Sequence, residues 1–410
     1  MGNILNIINS NQHFHNISDE CKHHYMECLN GPFMSEEIKD YFELSIVNID
    51  SVYENKKYVY PIECRNVDAV LSGINHLPEK IVELVNKDRC KVIFSYESEG
   101  DFPIEDFNKW FYMSKFILKE KVKLSNIYVF CNDFYAEQRN NTEINFFGST
   151  HFLDTISYQL NKMIQDKSFG IELNDFDYDF KIRNISDINI EKKNKRFLCY
   201  LRNCARAHRV GIASYFEYNK LWEDNNISFL KVTYQNDDCE YLPDYLKDSQ
   251  KLLHNKDLIE LDTQHLKSKM GFETIFSSDW KHYQETFLSI VSETCFDDSS
   301  IYFSEKTIKP LLHMHPFIMM STPYTLQKLN ELGFKTFDGF IDESYDREEQ
   351  TKARFQMILR EIDKFNDKSF EELKNWWTDI LPILEHNQKR LLELGKQKTE
   401  KIKLLEKMND

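Results

Sequence analysis

Glycine and proline are scarce, at 11 and 9 in 410 residues. That level excludes collagen-like repeats and the Pro/Gly-rich chains that stay disordered, and 41% hydrophobic with 14% aromatic residues supplies enough apolar matter for large cores. Cysteine gives no framework. Nine are scattered singly (Cys21, Cys28, Cys64, Cys90, Cys131, Cys199, Cys204, Cys239 and Cys295), an odd total with no C-x-x-C pair. This excludes a disulfide scaffold and reads as reduced thiols in a cytosol-like compartment. Positive charge is in deficit: 52 Lys+Arg against 67 Asp+Glu give a net −15, a field that repels phosphate backbones and anionic membranes, so nucleic acid is not the favoured partner. No apolar run approaches the roughly 18 residues that span a bilayer, and no membrane insertion is expected. Met1–Asn6 lacks a basic stretch before a long apolar one, so no signal peptide is expected, and Asn6 stands where a myristoylation motif needs Ser or Thr. G-x-S-x-G, P-loop and zinc-deaminase signatures are missing as well.

What is present is an alternation of element types. At about 150 residues per domain the length predicts two or three domains. Short apolar runs rich in β-branched and aromatic residues occur at Leu44–Ile49, Ala69–Ile74, Lys91–Tyr96 and Ile127–Cys131, with helical spacing over Lys80–Asn86 and Phe107–Leu118. Strands alternating with helices imply a mostly parallel α/β sheet. His151–Lys167 is helical in pattern, and residues 168–195 are polar with weak periodicity, as a linker would be. A second series follows: Arg196–Leu201, a helix from Arg206 to Trp222, Ile227–Tyr234, Leu258–Leu261, a helical pattern through Tyr283–Val291, then His315–Met320 and Lys335–Phe340. The tail from Asp346 repeats Phe355, Ile358, Ile362 and Phe365 at helical spacing. The expected division is 1–167, a linker 168–195, a second domain 196–345 and a helical extension 346–410.

Three segments carry chemistry. In the first, a strand ends in Leu201 and is followed by Arg202, Asn203, Cys204, Arg206, His208 and Arg209 at the start of a helix. Ligands of open α/β sheets bind at the carboxyl ends of strands, where helix N-termini offer free N–H groups to anions, and Arg adds bidentate donors for phosphate oxygens. The second runs from Phe287 to Thr294, which also fits a strand ending in Glu293, and continues to Ser304-Glu305-Lys306 and Pro316–Ser321. Ser304 suits an N-cap; a carboxylate there accepts from ribose hydroxyls and the ammonium neutralises phosphate. The third is the strand Lys91–Tyr96, ending in Glu97, Glu99 and Asp101 beside Gly100, where a carboxylate can act as general base. Alternation puts Glu97 and Glu99 on one face and does not choose between them. Asp175, Asp177 and Asp179 form a D-x-D-like cluster inside the expected linker, where a solvated acidic run is the simpler reading.

Together these segments resemble the GT-B glycosyltransferases, in particular the α-1,3-fucosyltransferase family and a group of glycosyltransferase-like proteins of phages and large viruses. Tyr96-Glu97-Ser98 is similar to the family's Glu-Ser-Pro strand end, with Glu99 in place of Pro. Asn203-Cys204 with Arg209 is similar to its Asn-Cys motif and phosphate-binding Arg. Ser292-Glu293-Thr294, Ser304-Glu305-Lys306 and His315-Pro316-Phe317 resemble its Phe-Glu-Asn, Thr-Glu-Lys and Val-Pro segments, without the Asn after Glu293. The phage-type group is matched through Phe197–Arg209 and Phe303–Asp346.

The resemblance implies two Rossmann-like domains facing across a cleft, with the C-terminal helix returning to the N-terminal domain. It also implies an inverting, metal-independent sugar transfer from a nucleotide diphosphate sugar to a glycan or other hydroxyl acceptor, in the cytoplasm, or the host cytoplasm for a viral protein. No cofactor beyond that co-substrate is implied. Arg202, Arg206, Arg209 and Lys306 would meet the diphosphate, Glu293, Ser304 and Glu305 would complete the donor site, and Glu97 would be the base. The rival functions are decoration of modified bases in phage DNA and a non-catalytic nucleotide-sugar-binding protein.

Overall fold

The computed structural model describes residues 3–10, 25–26, 36–53, 55–64, 67–96, 103–148, 151–165, 182–201, 203–204, 206–229, 231–232, 242–257, 259, 280–297 and 300–409. The chain is α/β with parallel sheets and divides into two compact units, residues 1–158 with 397–410, and residues 159–396.

The first unit is built on β1 (Asn3–Ile8), β2 (Tyr25–Met26), β3 (Phe42–Val47), β4 (Tyr58–Cys64), β5 (Cys90–Tyr96), β6 (Ile127–Cys131) and β7 (Asn145–Gly148). Six strands run parallel in the order β3-β1-β4-β5-β6-β7, and β2 pairs antiparallel with the end of β4. The central strands read as continuous apolar runs because both of their faces are covered. On one face Val92, Phe94 and Val129 meet α2 (Val67–Asn75), α3 (Glu79–Asn86) and α4 (Ile104–Lys121) through Val70, Ile74, Ile81, Leu84, Phe107 and Phe111. On the other, Leu5, Ile7, Val59, Ile93, Tyr128 and Phe130 meet Ile38 of α1 (Glu36–Tyr41). They also meet Ile402, Leu404, Leu405 and Met408 of the C-terminal helix, Glu400–Asn409.

Two departures from the sequence reading have physical causes. Ala69–Ile74 is the middle of α2, since a short apolar run does not by itself tell strand from helix. β4 went unread because Pro61 sits inside it; Pro gives no N–H to a ladder, and the pairing of β4 with β1 is confined to Ile7 opposite Val59.

The second unit carries β8 (Lys195–Tyr200), β10 (Asn226–Ser228), β12 (Thr286–Ser292) and β13 (Phe317–Met320), all parallel, in the order β10-β8-β12-β13. A separate short pair joins β9 (Asn203–Cys204) to β11 (Lys231–Val232). The helical pattern read over 283–291 resolves into α7 (Trp280–Glu285) followed at once by β12. No strand forms over 335–340; only an isolated bridge joins Asp338 to Ile341. α6 (Ala207–Tyr218) packs on α9 (Thr351–Asn366) so closely that a Cβ on Gly211 would lie 2.6 Å from the Phe355 ring.

The boundary between units falls inside α5 (His151–Gln165). Of the expected linker, residues 182–195 are described, and they belong to the second unit. Lys193 is 3% exposed there. Its Nζ donates to the carbonyls of Tyr283 (2.9 Å) and Thr286 (2.6 Å) and lies 4.4 Å from the Trp377 ring centroid.

Candidate functional site

In the second unit the chain leaves β8, passes through α6 to β10 on one side, and later returns to β12 and β13 on the other. The order of strands therefore reverses between β8 and β12. Ligands of open α/β sheets bind at such a switch point, outside the carboxyl ends of the two strands. Two helices start there. Arg206 occupies the N-cap position of α6, with extended backbone and an exposed side chain, and Arg209 lies in the first turn, half-buried. α8 (Glu305–Leu312) opens at Ser304, whose Oγ accepts from the Lys306 amide at 3.2 Å.

Glu293 joins the two helix starts. It follows the last residue of β12 and is fully buried. Its main-chain carbonyl accepts from His208 Nε2 at 2.8 Å. Its carboxylate accepts from the amides of Ser304 (3.0 Å) and Thr294 (3.2 Å) and from Thr307 Oγ1 (2.5 Å). A buried carboxylate is tolerated when its lone pairs are filled in this way. Glu293, expected to face the donor, thus points into the protein and shapes the loop. Ser304 is also fully buried, its Oγ occupied by the cap and by Lys306 Nζ at 3.1 Å.

The charges that remain at the surface of this site are Arg206, Arg209, Glu305 and Lys306. Lys306 Nζ pairs with Glu305 Oε1 at 3.0 Å, the two side chains being 16% and 15% exposed. Burial pushes the Glu305 carboxyl up, but Lys306 and Lys309 outweigh it and hold the group at about 2. Burial, followed by the charge of Arg209, pushes His208 down to about 3, so the imidazole is neutral and its Nε2–H is available to the Glu293 carbonyl. The ring stacks on Phe296 with centroids 5.1 Å apart. Burial also lowers the Arg209 guanidinium, against the pull of Glu293. It stays charged, because a guanidinium does not deprotonate in proteins.

Arg209 is under-coordinated. Among the described residues its Nη2 makes two contacts of 3.5 Å, to the carbonyls of Ser292 and Glu293. Its Nε has no hydrogen-bond partner among the described residues. The hydroxyls of Ser292 and Thr294, on either side of Glu293, are buried and equally unmatched among those residues. Buried polar groups are ordinarily satisfied, and these three atoms stand out as exceptions among the described residues.

The structure thus brings together Arg206, Arg209, Glu293, Ser304, Glu305 and Lys306. Arg202 and Glu97 lie outside the described residues, as do Glu99, Asp101 and the Asp175–Asp179 cluster. The reading by residue type missed Ser292, Thr294, Thr307 and the positioning role of His208. The signal for the first two was the pair of hydroxyls flanking Glu293; the roles of Thr307 and His208 needed the three-dimensional convergence on that residue.

Among the described residues no group of three His, Cys, Asp or Glu is placed to hold a metal ion, and no helix is long and apolar enough to cross a membrane. No family model matches the chain, and no curated protein matches it. Among solved structures the chain is similar to an alpha1,3-fucosyltransferase with GDP, at 12% sequence identity and a TM-score of 0.31, over 94% of this chain and 93% of that one.

Proposed function

We propose that this protein is a glycosyltransferase that binds a nucleotide diphosphate sugar on its second unit and passes the sugar to an acceptor hydroxyl. The observation that carries the reading is Arg209: a half-buried guanidinium at the switch point of a parallel sheet, beside Arg206, Lys306 and two helix N-termini. A diphosphate supplies what these groups lack, two adjacent anionic centres for planar and point-charge donors. The GT-B arrangement, the inverting course and independence of metal belong to the same proposal and draw on the sequence resemblance.

In this reading a carboxylate, Glu97, takes the proton of the acceptor hydroxyl as its oxygen bonds to the anomeric carbon. The bond from that carbon to the diphosphate breaks, and the leaving oxygen keeps the electron pair. Arg206, Arg209 and Lys306 stabilise the charge that gathers there, already fixed in place before the reaction.

The test is a binding series of GDP, UDP, ADP and CMP and their sugars against the full chain, read by thermal shift and calorimetry. One nucleotide diphosphate should stabilise the protein, and Arg209→Ala should weaken it by roughly 1.5–3 kcal/mol, the value of a charge-assisted hydrogen bond. With that donor, Glu97→Gln should slow transfer roughly 10²–10⁴-fold and leave donor affinity in place; transfer should survive EDTA. A wild-type protein that no nucleotide stabilises overturns the reading. Binding without transfer to any hydroxyl favours a non-catalytic nucleotide-sugar-binding protein.

A further inference from the structure

The outer face of α4, on the first unit, is apolar where a solvent-facing helix is ordinarily polar. Phe116 is 84% exposed, Met113 78%, Ile117 67% and Tyr112 50%. The inner face of the same helix is fully committed: Ile104, Phe107, Phe111 and Leu118 are completely buried. α4 therefore has two apolar faces, and its own unit uses one. Contiguous exposed apolar side chains of this size mark an interaction surface.

The pattern along that face identifies the occupant. Lys109, Met113, Phe116 and Glu120 recur at spacings of four, three and four, so they form one stripe along the helix. Lys109 and Glu120 are exposed and have no ion-pair partner among the described residues. The stripe is self-complementary under a two-fold axis between residues 114 and 115. Laid antiparallel on a second copy, Met113 comes level with Phe116 and Lys109 comes level with Glu120. Each relation occurs twice, as an isologous interface requires. Tyr112 and Ile117 form the two margins. Tyr112 is already anchored, its hydroxyl donating to the Asn141 carbonyl at 3.0 Å.

We propose that α4 is the contact surface of a homodimer, in which the stripe Lys109–Met113–Phe116–Glu120 packs antiparallel against the same stripe of a second copy. A membrane surface fits less well, because the charges of this helix are mixed, Glu105, Asp106 and Glu120 against Lys109, Lys115, Lys119 and Lys121, and Glu143 pairs with two of the lysines, so no polybasic patch faces anionic lipid. With aromatic side chains carrying about 150–250 Å² each, the four exposed side chains offer roughly 500 Å² per copy. That is less than the ~800 Å² per partner of a standard interface, so the dimer is reversible and forms at high protein concentration.

The experiment is sedimentation velocity on the full chain across a concentration series reaching roughly 100 μM, a range suited to an interface of this size, with three kinds of variant. The wild type should move from monomer to dimer. Phe116→Asp should hold it as monomer, with circular dichroism confirming an unchanged fold. Lys109→Glu alone and Glu120→Lys alone should each raise the dissociation constant about tenfold or more, since each sets like charges opposite one another twice. Lys109→Glu combined with Glu120→Lys should return it to within a few-fold of the wild type. These two exposed positions keep the test open if Phe116→Asp fails to fold. A wild type that stays monomeric throughout overturns the proposal, as does a dimer indifferent to the charge exchange, or one replaced by binding to vesicles of anionic phospholipid.

Discussion

In the first unit the sheet interior is carried by Ile, Val and Phe, with Ile93, Phe94, Val92 and Val129 all fully buried between helices. In the second, a sheet of the same parallel type and the same initial strand order is buried against polar groups as well. Glu293, His208, His313, His315 and Lys193 all lie within the protein, each with hydrogen bonds or ring contacts of its own. Among its described residues the first unit buries fewer charged groups of this kind: Asp133 paired with Arg139, Glu63, and Lys401 against the Phe130 ring. Apolar burial tolerates small changes in geometry, whereas a network of buried polar groups specifies one arrangement and is costly when incomplete. In the second unit such a network, centred on Glu293, ties the start of α6 to the start of α8.

That contrast can be broken from either side. Ending the chain at Lys396 removes Ile402, Leu404, Leu405 and Met408, all buried in the first unit. At about 1.5–3 kcal/mol per buried apolar side chain the loss is roughly 6 kcal/mol or more. The expected result is an unfolded first unit beside a second unit that keeps its hydrogen-exchange protection; equal loss in both would erase the distinction.

Glu293→Ala should act on the other unit. It leaves the amides of Thr294 and Ser304 and the Thr307 hydroxyl without their acceptor, and it removes a charge facing Arg209. A loss of about 3–5 kcal/mol is expected, read as a lower urea midpoint for the second unit only.

Acid should separate the units further. Burial pushes His208 and His313 down to about 3 and His315 well below its ordinary value. The unfolded chain takes up these protons near pH 6.5 and the folded chain does not, so stability falls as pH drops from about 6.5 towards 3. Glu343 opposes them. Burial raises it to about 7, so the folded state holds its proton between pH 7 and 4.5 and one imidazole is offset. At about 1.4 kcal/mol per pH unit for each proton, the net loss is roughly 2–3 kcal/mol per unit near pH 5. Urea titrations at pH 7, 6 and 5 measure it, and a flat second transition would contradict the neutral imidazoles.

The smallest effect belongs to the surface of the first unit. Lys123 pairs with Asp88 at 2.6 Å, but the two side chains are 47% and 61% exposed. Lys123→Ala should therefore cost less than about 1 kcal/mol by the same titration.

Where sequence alone sufficed, burial and pattern agreed. α4, α5 and the helical tail were readable because their apolar residues keep a helical period, and β5, β6 and β8 because short β-branched and aromatic runs stand between polar segments. β4 was hidden by Pro61 and α2 by its short apolar run. At the site, residue type placed Arg206, Arg209, Glu305 and Lys306 at helix starts, where the structure has them, but not the direction in which Glu293 points. A carboxylate facing a ligand and one facing backbone amides have the same spelling, and only the positions of Ser304, Thr294 and Thr307 distinguish them.

The C-terminal helix that covers β1, β4, β5 and β6 also sets a schedule for synthesis. The second unit is one continuous stretch, 159–396, complete in sequence before the first unit is. On a ribosome delivering some 5–20 residues per second, the first unit emerges early, yet α1 alone covers part of this face of its sheet until residues 402–408 arrive. Leu5, Ile7, Val59 and Ile93 wait only partly covered through the making of most of the protein. The earliest-made strands are therefore the last to be sealed, and they are what a chaperone would meet on the nascent chain.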